Sequence, residues 1–90
     1  MTESNTIVHE TLIDLASSAD RQAARAAYFN RVAASATLFA LADDLRSMAK
    51  KVLDGEPESN AFDLLDRGRA HVATTALQFD RLTLAGGGEL

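Results

Sequence analysis

Apolar residues return at spacings of three and four along nearly the whole chain, and no stretch alternates apolar and polar residues with period two. That periodicity belongs to amphipathic helices. Val8, Leu12, Leu15 and Ala19 line up on one face near the N-terminus, with Ile7 and Ile13 widening the stripe and Glu10 and Asp14 opposite. They predict a first helix over about 6–17, with cap oxygens on offer from Thr2, Ser4, Asn5 and Thr6. Ser17, followed three residues later by Asp20, has the spacing of a capping box. A break or kink is therefore expected at Ser17 and Ser18, although both serines also fit inside one continuous helix.

Two adjacent seams then predict a long second helix over about 19–54. Leu38, Leu41, Leu45, Met48 and Val52 form a heptad seam. Tyr28, Val32, Ser35, Phe39, Ala42, Ala49 and Leu53 form another beside it. Lys50 and Lys51 oppose the dipole of the last turn. Gly55 suits the left-handed position after the helix, and Pro57 forbids continuation. The chain has five glycines and one proline, and none of them lies between Ala19 and Asp54. A helix of that length spans about 54 Å, against a diameter of about 30 Å for a compact domain of this size.

The third helix is expected over about 58–84, with Phe62, Leu65, Val72, Ala76 and Phe79 facing inward and Leu64, Leu77 and Leu82 alongside. Gly68, in its interior, points to a close helix–helix approach or a slight bend. Residues 86–90, opening on Gly86 to Gly88, are expected to form a flexible tail. The architecture this predicts is all-α: an elongated helical hairpin or three-helix arrangement in one domain (1–90), built on one long central helix. Apolar surface left uncovered on that helix predicts a homodimer resembling a four-helix bundle. Reversal at Gly55 to Pro57 makes opposing positions on the last two helices sum to about 113, which sets Arg69 against Asp44 and predicts an ion pair with Asp43 or Asp44.

Composition and charge narrow the function. Ninety residues with 47% apolar and 24% charged content fit one small folded domain. There is no cysteine, which removes disulfides, thiolate metal sites and thiol nucleophiles. The longest strictly apolar run, Leu38 to Ala42, is far short of a membrane span. The N-terminal residues have neither a basic nor an apolar leader region. A soluble, cytoplasmic protein with no membrane partner is expected, and many alanines with arginine favoured over lysine suggest a bacterial origin. The net charge of −4 argues against nucleic acid. The charge is uneven, however. Arg21, Arg25 and Arg31 form a candidate basic stripe, and Asp54, Glu56, Glu58, Asp63 and Asp66 a candidate acidic patch.

Catalytic patterns are missing. His9 and His71 have no second histidine at ligand spacing, no serine lies in a nucleophile motif, and the glycines near the C-terminus follow no strand and precede no lysine. No enzyme activity, metal or other cofactor is expected. Hairpins that reverse at a Trp-x-Gly turn are disfavoured, since the turn here is Leu53-Asp54-Gly55-Glu56-Pro57 and tryptophan is absent. The sequence therefore predicts a non-enzymatic protein-interaction module: a bacterial or phage regulator, inhibitor or assembly adaptor. Tyr28, Phe29, Val32 and Phe39 are its candidate dimer or partner interface. The alternatives are a nucleic-acid-associated protein using the arginine stripe, and a self-assembling structural component.

Overall fold

Alanine and leucine at helical spacing carry the first helix further than its serines suggest. The computed structural model describes residues 3–87, with side chains placed from 5 to 84. Helix α1 runs unbroken over Glu3–Tyr28. Ser17 and Ser18 lie inside it, and the Ser18 hydroxyl accepts a hydrogen bond from Arg21 Nη2 (2.9 Å) instead of capping a new helix. Ala16 and Ala19 on either side of them are fully buried. A break here would expose backbone amides at the point where the helix is most tightly packed.

The expected long helix over 19–54 is divided. Helix α2 covers Val32–Leu53, and the chain reverses at Phe29, Asn30 and Arg31. Asn30 adopts φ 61, the left-handed region. The Arg31 amide donates to the Ala26 carbonyl (2.7 Å) and the Asn30 amide to Ala27 (3.0 Å). Those two bonds are the Schellman closure of a helix C-terminus. Asparagine is the residue other than glycine that enters the left-handed region most readily, so the turn needs neither glycine nor proline. The central helix is thus 22 residues and the shortest of the three. The helix of about 54 Å, and the excess length inferred from it, do not exist.

The second reversal falls where expected. Gly55 has φ 105. The Glu56 amide donates to Lys51 (2.9 Å) and the Gly55 amide to Val52 (3.2 Å), the same closure. Helix α3 follows over Glu58–Gly87. It runs through Gly86 and Gly87, and the rest of the expected tail lies outside the described residues. Among the described residues there is no strand.

The three helices, each antiparallel to the next along the chain, make a rod of 52 × 19 × 16 Å. Its radius of gyration, 14.9 Å, exceeds the roughly 12 Å of a compact chain this long. Alanines set the core between α1 and α2. Ala16, Ala19, Ala23 and Ala26 of α1 and Ala42 and Ala49 of α2 are completely buried, with Leu12, Leu38, Leu45 and Val52 filling the space between them. Each of those larger side chains contributes about 1.5–3 kcal/mol by leaving water. The Ser35 hydroxyl donates to the Ala23 carbonyl (3.0 Å), which satisfies a buried hydroxyl within this seam.

Helix α3 caps the pair through Ala61, Leu65 and Phe79. Gly68 is the point where all three helices meet. A methyl group built there would lie 3.0 Å from Leu15 Cδ2, 3.6 Å from Leu41 Cδ1 and 3.8 Å from Leu45 Cδ2. Gly68 and Leu45 sum to 113, in the register expected from the turn. Leu65 shares a core cluster with Met48, and Phe79 with Ala34.

Candidate functional site

Two surfaces stand out once the core is accounted for. The first surrounds the α1–α2 turn. Tyr28 is 84% exposed, Val32 70% and Phe39 47%. Val32 and Phe39 are seven residues apart and so share a face of α2. That face is the one nearer α1, because Arg46, another seven residues on, pairs with Asp20 of α1. Phe29 is placed differently. It is half-buried, with its ring stacked on Phe79 of α3 at 6.0 Å between centroids. Tyr28 meets Phe29 edge-on at 5.2 Å. Of the four aromatic and apolar candidates, Tyr28, Val32 and Phe39 are exposed, and Phe29 joins Tyr28 to α3.

The second surface is a furrow along the seam of α2 and α3. Ala34, Leu41 and Met48, at heptad spacing, form its α2 wall, and Leu64, His71 and Gln78 its α3 wall. It opens into hollows of about 390, 320 and 570 Å³. The largest lies beside the α1–α2 turn and is lined by Arg31, Ala34, Gln78, Phe79, Arg81 and Leu82. Here Phe79, 2% exposed, forms the floor. Arg31 and Arg81 are exposed at its rim, and neither has a carboxylate partner among the described residues. The α2 N-terminus opens on the same place, with no side-chain cap and no acidic residue in its first turn.

The structure separates the arginine stripe. Arg21 is exposed and bonded to Ser18. Arg25 turns toward α3, where Nη2 meets Asp80 Oδ1 at 2.7 Å and the guanidinium lies 5.7 Å from the centre of the Phe79 ring. Such a part-exposed ion pair contributes about 0–1 kcal/mol. Arg31 belongs to the furrow. Arg46 is held above the ordinary arginine value chiefly by its hydrogen bond to Asp20. Partial desolvation opposes that, and the Asp20 and Asp43 charges add to it. A raised cation contributes stability that is complete below its unfolded value and fades only as pH climbs through the folded one, here far above neutrality.

The expected bridge from Arg69 to Asp43 or Asp44 is absent. Arg25 pairs instead with Asp80, and Arg46 with Asp20. The helix register is right but the azimuth is wrong. Arg67 lines the furrow with Asp44, and Arg69, two residues on, is rotated about 200° away.

Of the acidic candidates, Glu56 accepts from Asn60 Nδ2 (2.9 Å). Asp54, Asp63 and Asp66 are exposed around the second turn, and Glu58 sits in the first turn of α3. The histidines do not converge. His9 Nδ1 lies 3.0 Å from the Ala49 carbonyl and so donates to it, tying α1 to α2. His71 lies in the α2–α3 seam, where its buried Nε2 has no hydrogen-bond partner. Among the described residues no three His, Cys, Asp or Glu side chains gather to hold a metal. Nor is any helix there long and apolar enough to cross a membrane.

The furrow and the roles of Asp80 and Arg81 depend on which helix faces meet, and only the apolar half of that information is periodic. Comparison with known proteins adds no constraint: no family model, curated protein or solved structure matches the chain.

Proposed function

We propose that this protein is a non-enzymatic interaction module, a small bacterial or phage regulator, inhibitor or assembly adaptor acting in the cytoplasm, that works as a homodimer. One observation carries the reading: Tyr28 and Val32 are exposed on either side of the α1–α2 turn, and Phe39 is exposed on the same face of α2 as Val32. Soluble chains leave such side chains in water singly without consequence, whereas a cluster marks a contact surface. Support for dimerisation no longer comes from helix length, since the α1–α2 hairpin closes on itself. It comes from this surface, which includes the face of α2 nearer α1. A self-complementary patch of this kind is what a two-fold interface requires.

Sedimentation equilibrium of the full chain at about 50 μM tests it, a concentration at which a moderately tight dimer is populated. A mass near twice 9.6 kDa is expected, returning to the monomer value in Val32→Glu and Phe39→Glu. A monomer at that concentration would remove the dimer from the reading.

A further inference from the structure

Most of this chain's charge is negative, yet the hollow beside the α1–α2 turn is not. From the Tyr28–Phe29–Phe79 contacts, the Arg31 and Arg81 rim and the Ala34 and Leu82 walls, we infer that this end of the α2–α3 furrow docks an acidic amphipathic helix of a partner protein. The inference rests on the interaction-module reading and names the chemistry of the partner.

The hollow's volume of about 570 Å³ accommodates one or two large side chains, and its floor is an aromatic ring with two ordered neighbours. Phe29 stacks on Phe79, and Arg25 lies over the same ring while bound to Asp80. The floor is therefore preorganised, which lowers the cost of binding. Arg31 comes from the start of α2 and Arg81 from late in α3, so the two cations flank the hollow from opposite walls. Asp80, the carboxylate nearest in sequence to Arg81, is already engaged by Arg25.

Further along, the furrow is lined by Arg67 and Lys51 against Asp44 and Asp63. Over its whole length it therefore carries four basic and two acidic side chains, in a protein of net charge −4. The uncapped amides at the start of α2 add partial positive charge at the same end. A helix with a leucine-type stripe fits a groove walled at heptad spacing. Glutamates flanking that stripe would meet the two arginines. A second copy seating its own first-turn end in this hollow would bring its Arg31 and Arg81 toward the same two arginines.

The test uses the full-length protein and a fluorescein-labelled helical peptide with leucines at i, i+3, i+4 and i+7 flanked by glutamates, followed by fluorescence anisotropy. An otherwise identical peptide carries glutamine for each glutamate. The glutamate peptide is expected to bind at least about tenfold tighter at low salt, with the advantage shrinking at about 500 mM salt. Arg31→Glu with Arg81→Glu should erase the preference. Arg31→Gln with Arg81→Gln should reduce it, and circular dichroism checks that both remain helical. Lys50→Glu, the same two-unit change of charge as the double glutamine variant but on an exposed position outside the furrow, should preserve it.

Phe39→Glu, eight residues from Arg31 and outside the furrow lining, should also preserve it, so a failure of self-association and a failure of furrow docking are read separately. Four results would each overturn the inference. They are no saturable binding of the glutamate peptide up to about 1 mM, equal binding of the two peptides, a preference that survives the double arginine variants, and tighter binding of a short DNA duplex than of the peptide.

Discussion

At the scale of single residues, most polar atoms in the helix seams have found partners that spacing alone does not reveal. Ser35 bonds to the Ala23 carbonyl and His9 to the Ala49 carbonyl, each joining α1 to α2. Thr75, buried on α3, returns its hydroxyl to the carbonyls of His71 and Val72. His71 is the exception, with Nε2 buried and unpaired in the α2–α3 seam. Leaving a buried polar atom without a partner costs about 1–3 kcal/mol, whereas an apolar group of similar shape does not incur that cost. Since the residue as a whole is only half-buried, His71→Leu is expected to stabilise the protein by about 0.5–1 kcal/mol. A higher urea midpoint at unchanged slope is the measurement. A lower midpoint would show that His71 has a partner in solution.

At the scale of elements, both turns use one hydrogen-bond closure with different residues at the left-handed position. Gly55 at the second turn, with Pro57 two residues on, announces a helix end in the sequence. Asn30 at the first turn does not, because asparagine also occurs inside helices. Replacing Asn30 by glycine should leave stability within about 1 kcal/mol, whereas Asn30→Val, forced to φ 61 with a branched side chain, should lose about 1–3 kcal/mol. Thermal melts of the two variants compare them directly, and a valine variant as stable as the parent would mean that the turn is not held as described. The same contrast shows what the sequence discloses. Three helices, the faces of Leu12, Leu38, Leu45, Leu65 and Phe79 and the second reversal follow from periodicity and one glycine. The first reversal depends on a single side chain whose conformational tolerance is visible only once its backbone is fixed. The furrow was hidden for another reason: Arg31, Gln78 and Arg81 carry no periodic mark, and their proximity exists only after α3 has chosen its azimuth.

At the scale of the whole molecule, the two interfaces are unequal. Helices α1 and α2 meet more extensively than either meets α3, through alanines that let their backbones approach, and the α2–α3 seam stays open in three places. Local openings draw on regions with few buried apolar contacts. Amides of α3 are therefore expected to exchange hydrogen faster than those in the middle of α1 and α2, by mass spectrometry of peptic fragments. Equal protection in all three helices would mean that α3 is as firmly docked as the hairpin. Charge is also divided along the rod: Arg21, Arg31 and Arg81 gather toward the first turn, and Asp54, Asp63 and Asp66 around the second. The Tyr28 ring against Phe29 has a spectroscopic consequence. Tyr28 is the chain's single tyrosine, and there is no tryptophan. All ultraviolet emission above the phenylalanine band therefore arises from one ring, at the turn where self-association is proposed and one ring away from the contact with α3. Denaturation followed by that emission watches the end of the rod, while circular dichroism watches every helix at once. Superposed curves would mark a single cooperative unit, and an emission change at lower urea would mark an end that loosens first.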